Sequence, residues 1–225
     1  MSDAFYKTIC TGSSVAFATS SRGLVIGLGN VPRKGGVILA PNHASWYDVP
    51  LLAYHTSRML DFVGTDELFR HPFWARFYSG MNVIRHNRDA PDSRAAVTIL
   101  GRLRKERAIA LFPEGKLCPY DQSLFTGGVL RPGMARLAMF AQVPVVPVVL
   151  INTSAYRRLR SWLPFRRARY GVIYGAPLSA PPMVRGRERS DVLRAFEETY
   201  RSRMRALRDV LLQETKMIAC RDAEV

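Results

Sequence analysis

The sequence predicts an α/β fold: a single domain with a mixed, mostly parallel central sheet flanked by helices. Three observations support this. Short apolar runs alternate along the chain with stretches whose apolar residues recur at helical spacing. The strongest runs, GVILA (36–40), AIALF (108–112) and VPVVPVVLI (143–151), are apolar at consecutive positions, as strands covered on both faces are. The chain has 225 residues and is 48% apolar, enough for one sizeable core. No internal repeat, low-complexity linker or composition break divides it.

Taken in order, residues 1–20 are weakly patterned, with scattered apolar positions among Ser, Thr and Gly. VIGLGNVPRKGG (25–36) reads as a short strand followed by a turn, for which Pro32, Gly35 and Gly36 supply the chemistry. GVILA then runs to Pro41. From Ser45 to Ser57 the spacing turns helical, with Trp46, Val49, Leu52 and Ala53 on one face. MLDFVG (59–64) is strand-like. The aromatic-rich stretch 67–80 reads as a short helix broken near Pro72. Its phenylalanines are a candidate wall for an apolar tunnel, although ordinary core is the stronger reading. MNVIR is a further strand. Residues 89–107 predict a helix capped by Asp92 or Ser93, with Ala96, Ile99, Leu100 and Leu103 buried and basic residues gathered toward its C-terminal end. AIALF ends in PEG, residues 134–142 form a helix, and RYGVIYG (169–175) adds a late strand. Val192, Leu193, Phe196, Tyr200, Leu207 and Leu211 mark a long amphipathic helix over 189–217.

Lys plus Arg number 33 against 18 Asp plus Glu, a net charge of +15. So basic a chain suits a polyanionic partner, either nucleic acid or an anionic lipid membrane. Cys10, Cys118 and Cys220 are too few and too scattered for a metal set or a disulfide framework, which fits a reducing compartment. The N-terminus lacks the pattern of a secretory signal. No run reaches the roughly 18 apolar residues of a membrane span, so any membrane contact is expected to be peripheral.

Four features carry candidate chemistry, all at ends of expected strands, where α/β folds place their ligand sites. NHASWYD (42–48) offers His43 as a base and Asp48 as the carboxylate that orients it. The same residues also fit a capped turn packed with aromatics. FPEGK (112–116) places Glu114, Gly115 and Lys116 where Glu114 could accept from a hydroxyl and Lys116 supply a cation. A plain proline–glycine turn explains it equally well, and the phosphate-loop spacing is absent. Arg85, His86 and Arg88 suit a phosphate, or a solvated basic turn. YRRLRSWLPFRRARY (156–170) sets Trp162, Leu163 and Phe165 among arginines. That pattern fits an anionic bilayer surface, an RNA or an exposed basic loop.

In this order the blocks resemble the glycerolipid acyltransferase family, the bacterial lysophosphatidic acid acyltransferases and their relatives. Asn42 to Asp48 matches that family's NHx4D block, Phe112 to Gly115 its FPEG block, and Val143 to Val148 its proline-containing strand. The resemblance spans roughly residues 22–178. It departs at the block in which an arginine follows a glycine by six residues, because His86 stands six after Gly80 with arginines at 85 and 88. Lys116 also stands where threonine is frequent, and CPYDQSLFTGG lengthens the loop before Arg131-Pro132-Gly133.

The resemblance implies the glycerol-phosphate acyltransferase fold and an O-acyl transfer with no metal or other cofactor. His43 would deprotonate an acceptor hydroxyl, oriented by Asp48. The oxygen would attack the thioester of acyl-CoA or acyl carrier protein. Asn42, Arg85, His86, Arg88, Glu114, Gly115 and Lys116 would bind substrate. Ser45 is read as a helix-start cap rather than a nucleophile. The acceptor would be a lysophospholipid, 1-acylglycerol-3-phosphate first, giving phosphatidic acid. Another lyso-lipid or an amino-acid-derived lipid remains open, and a basic nucleic-acid-binding module is the rival of another class. The protein would dock on the inner face of the cell membrane from the cytoplasm. Residues 1–21 would be a docking segment and 22–225 the acyltransferase domain. His43 is expected at the mouth of a helix with Asp48 one turn inside, anchored by Trp46 and Tyr47.

Overall fold

The computed structural model describes residues 3–88, 92–118, 120–157, 161, 163 and 168–221; of 120 and 217–221 it describes the backbone only. Seven strands form one sheet: β1 (Ser21–Ile26), β2 (Val37–Pro41), β3 (Leu60–Thr65), β4 (Ile84–His86), β5 (Ala108–Ala110), β6 (Val145–Ile151) and β7 (Ala168–Tyr174). Their order is β1-β7-β6-β2-β5-β3-β4. β6, β2, β5, β3 and β4 are mutually parallel, β7 runs antiparallel to β6, and β1 is parallel to β7. The sheet is therefore mixed and mostly parallel, as the apolar runs imply.

Alternation along the strands divides the core. Ile38 and Ala40 of β2 face a cluster built with α4 (Ser93–Arg104), α5 (Gly133–Ala141) and α6 (Glu188–Arg221). Val37 and Leu39 face the other side, where α1 (Asp3–Ser20) and α2 (Asp48–His55) supply Phe17, Leu51 and Leu52. Residues 37–40 are fully buried, which is why the strand reads as a continuous apolar run. Pro147 is tolerated inside the sheet because an extended residue points its N–H and C=O to the same side. Its C=O accepts from the N–H of Gly175 at 2.8 Å, just past the end of β7. The missing donor thus faces a break in the ladder, before pairing resumes as a bridge between Val145 and Leu178.

Several local expectations are corrected. Residues 3–20 are helical although weakly patterned, because tertiary contacts hold them: Tyr6 and Phe17 are buried and the Tyr6 hydroxyl accepts from the N–H of Leu60. The expected helix 45–57 is shorter, Asp48–His55, and Trp46 precedes it with 68% exposure instead of joining its buried face. Pro72 opens rather than breaks α3 (Pro72–Gly80), where its missing N–H costs nothing. No residue of α3 is buried, so its aromatic stretch is not core; Phe73 and Trp74 stand at the surface. Helix α4 starts after Asp92, whose side chain accepts from the N–H of Ala95 at 3.0 Å.

Candidate active site

The parallel strands bring the C-terminal ends of β2, β5, β3 and β4 to one edge of the sheet, and His43 and Glu114 follow two adjacent strands there. Asp48 is the first residue of α2 rather than one turn inside it, and His43 lies in the turn before the helix. That turn closes the five-residue spacing between His43 and Asp48, which a regular helix would not place on one face. Oδ2 of Asp48 accepts from the N–H groups of Ala44 and Ser45, each at 2.8 Å, and meets Nδ1 of His43 at 3.0 Å. Its Oδ1 accepts from the hydroxyl of Thr153 at 2.5 Å. Asp48 is fully buried and the His43 side chain is 13% exposed. With a carboxylate at Nδ1, the ring carries its proton there and leaves the Nε2 lone pair available. The ring is stacked on Phe112, centroids 3.9 Å apart.

The backbone of His43 is clamped as well. Its N–H donates to Oε2 of Glu114 at 2.7 Å, and its C=O accepts from the N–H of Cys118 at 2.8 Å. Oε1 of Glu114 accepts from the N–H of Leu124. Burial pushes the Glu114 carboxyl above its ordinary range, against the pull of the Leu124 and His43 N–H groups. Glu114 therefore ties the His43 turn to the backbone at Leu124 and is turned inward. Gly115 makes this possible with φ of 70°, a left-handed turn in which a side chain would be strained. Asn42 is also turned inward: its amide donates to the C=O of Leu150 and accepts from the N–H of Leu150, joining the end of β2 to β6.

A cavity of about 290 Å³ opens beside the imidazole, lined by Asn42, His43, Glu114, Cys118, Arg208 and Leu212 among others. Lys116 is exposed in the same loop that clamps His43. Arg85, His86 and Arg88 lie elsewhere. β4 is three strands from β2, about 14 Å along the edge at ~4.8 Å per strand. Arg85 is paired with Asp66 at 2.6 Å, and His86 faces Asp92 at 3.5 Å. Asp92 is held below the usual carboxylate range by the N–H groups of Ala95 and Asn87. Arg88 is exposed. The Arg85–Arg88 set and His43 thus share an edge but not a cavity.

Ser45 does not cap α2 in the expected way; its hydroxyl accepts from the N–H of Tyr47 at 3.2 Å, and Asp48 satisfies the turn instead. Tyr47 packs against Tyr156, whereas Trp46 points to solvent and anchors nothing. Thr153, Phe112 and Arg208 were not singled out in the sequence. Phe112 stands inside the FPEG block and Thr153 just past the proline-containing strand, so their neighbourhood was marked. Arg208, 165 positions after His43 in the chain, carried no signal. Among the described residues no cluster of His, Cys, Asp or Glu is placed to hold a metal ion. Cys10 and Cys118 are free thiols. The basic aromatic segment lies mostly outside the described residues, as does the side chain of Cys220.

Comparison with known proteins places this geometry. The protein-family model described as Acyltransferase matches residues 23–151. The 1-acyl-sn-glycerol-3-phosphate acyltransferase of Borreliella burgdorferi is 29% identical over 138 residues, covering 59% of this chain and 52% of that protein. The chain thus spans about half the length of the curated relative it matches. Among solved structures, the 1-acyl-sn-glycerophosphate (LPA) acyltransferase PlsC from Thermotoga maritima superposes with a TM-score of 0.66. That alignment is 21% identical and covers 91% of this chain and 79% of the other, a likeness of fold.

Proposed function

This chain belongs to the acyltransferase family, and from that premise we propose that it moves a fatty acyl group from an acyl thioester to the hydroxyl of a lysophospholipid. The acceptor we propose is 1-acylglycerol-3-phosphate, giving phosphatidic acid; the activity of the Borreliella relative supports that class. The donor is acyl-CoA or acyl carrier protein. One observation carries the reading: an imidazole fixed at Nδ1 by a buried carboxylate, with a cavity beside it.

In this mechanism Nε2 of His43 takes the proton of the acceptor hydroxyl as its oxygen attacks the thioester carbonyl. Asp48 keeps the ring in the needed tautomer and supports the imidazolium that forms. Collapse of the tetrahedral intermediate breaks the C–S bond, and the imidazolium returns the proton to the departing thiolate. The ester is made, the thiol is released, and no acyl-enzyme forms. Asn42, Glu114 and Gly115 act by holding the His43 turn against neighbouring strands. Lys116 lies in the loop that clamps His43 and provides a cation for the phosphate of the acceptor; Arg85 and Arg88, beside His86 and strands away, add to the basic edge that attracts it.

The acceptor lives in a bilayer, and no described helix is long and apolar enough to cross one. Peripheral docking on the inner face of the cell membrane is part of the proposal. Trp46, Phe73 and Trp74 are exposed at the starts of α2 and α3, elements that leave the sheet from the edge that carries His43. Exposed aromatics on a chain of net charge +15 suit an anionic lipid surface. Residues 1–21 are proposed to contribute to docking and 22–225 to form the catalytic unit.

The test is thiol release from acyl-CoA in the presence of a panel of lysolipids, with products read by mass spectrometry. His43→Ala is expected to lower turnover about 100- to 10,000-fold. Full transfer by that variant would remove His43 from the mechanism, and an acylated product from another acceptor would redefine the substrate.

A further inference from the structure

We propose that Thr153 is a positioning residue for the His43 base, acting through Asp48 from the turn that leaves β6, the strand beside β2. Only its kinetic consequence rests on the acyl-transfer reading; the contact itself does not. Three of the groups that bind Asp48 are local: His43, Ala44 and Ser45 all come from the turn just before it, and all meet Oδ2. Alone they would hold the carboxylate by one oxygen and leave it free to pivot, because the terminal torsion of an aspartate is soft. The Thr153 hydroxyl, 105 positions away in sequence, takes the other oxygen. Thr153 is 1% exposed and Asp48 0%, so no solvent competes for the contact.

The position of Thr153 is itself fixed on both sides. Asn42 ties the end of β2 to Leu150 of β6 through two hydrogen bonds. Asn152, with φ of 57°, turns the chain sharply out of β6, a left-handed conformation that asparagine tolerates. Thr153 then opens a 3-10 turn, Thr153–Arg157, whose Tyr156 is fully buried against Tyr47 and Phe17. Branching at Cβ restricts the side-chain rotamer of Thr153 and aims its hydroxyl. The histidine, its carboxylate and the threonine are thus a relay in which the last member transmits the rigidity of β6 to a ring presented by β2. A buried threonine that merely satisfies its own hydroxyl would leave the imidazole unaffected by its removal.

Thr153→Val, Thr153→Ala and Thr153→Ser separate the two cases. In Thr153→Val, kcat is expected to fall about tenfold or more, since small misplacements of a catalytic group are costly, with KM within about twofold. Thr153→Ser, which keeps the hydroxyl, is expected to restore kcat to within about twofold of wild type. The 15N and 1H signals of the His43 ring, assigned by their loss in His43→Gln, are expected to move or broaden in Thr153→Val and return in Thr153→Ser. If Thr153→Val does not fold, Thr153→Ala against Thr153→Ser carries the same comparison. Unchanged His43 signals in the variant lacking the hydroxyl, or failure of serine to restore them, overturns the proposal. If the wild type releases no thiol with any lysolipid, the acyl-transfer reading falls, and the ring signals alone decide the role of Thr153.

Discussion

Asp48 and Glu114 show how two buried carboxylates serve one imidazole in different ways. Asp48 holds the ring and Glu114 holds the backbone that carries it. For Glu114 the prediction is stability first. Glu114→Gln keeps the shape, but an amide accepts through one oxygen only and turns its NH2 toward the second N–H donor. Leaving either the His43 or the Leu124 N–H unpaired is expected to cost about 1–3 kcal/mol, read as a lower denaturant midpoint. Turnover should fall with it because the His43 turn loses its brace. A variant as stable and as active as wild type would remove Glu114 from this role. The sequence put Glu114 beside the site but not its orientation, since nothing in FPEG says that both oxygens meet backbone donors 71 and 10 residues away.

The elements were legible where burial leaves a continuous mark on the sequence, as one apolar stripe for a helix or an unbroken run for a covered strand. α4 and α6 follow from their apolar periods and the central strands from their apolar runs, and Ile99, Leu103, Leu193, Phe196 and Tyr200 are buried as the helical spacing implies. α1 was not legible, because a few long-range contacts hold it instead of a continuous stripe. One of these is ionic. Asp61 in β3 is fully buried and meets Arg107 through both oxygens and Arg102 at 3.0 Å. Arg107 also reaches Asp3 at the start of α1. This network joins α1, β3, the C-terminal end of α4 and the residue that precedes β5. Asp61→Asn removes the charge and leaves two guanidinium groups confronting a neutral amide, so a loss of about 3–5 kcal/mol is expected in urea or thermal unfolding. A loss under about 1 kcal/mol would mean that the arginines find water instead. α6 has a second function beyond packing. The Tyr200 hydroxyl donates to the C=O of Ala40 at 3.0 Å, and Arg201 donates to the C=O of Leu124, bracing both sides of the His43 clamp.

For the molecule as a whole, acid sensitivity is expected to include a histidine outside the site. Burial lowers His55 from its ordinary value to about 4, and its Nε2 is hydrogen-bonded with the Tyr170 hydroxyl at 2.6 Å. The folded value lies below the unfolded one, so the unfolded chain binds the proton first. The stability tied to neutral His55 is therefore complete above about pH 6.5 and is lost as the pH falls toward about 4. Its size is on the order of 2 kcal/mol after allowance for partial exposure. Unfolding free energies for wild type and His55→Gln should converge as the pH is lowered through that window. Parallel curves would exclude His55 as a contributor.

What the sequence determined by itself was whatever depends on near neighbours in the chain: the α/β class, most elements, the pairing of His43 with Asp48, and the family. Apolar periodicity and short motifs are local, and local order suffices to read them. Tertiary structure decided which groups meet. It closed the five-residue gap between His43 and Asp48 by a turn, faced Glu114 and Asn42 inward, kept Arg85, His86 and Arg88 strands away from the cavity, and brought Thr153 and Arg208 to the site from β6 and α6. These placements follow from strand order and from the side to which each helix packs. Both are set by long-range burial, which no window along the chain records.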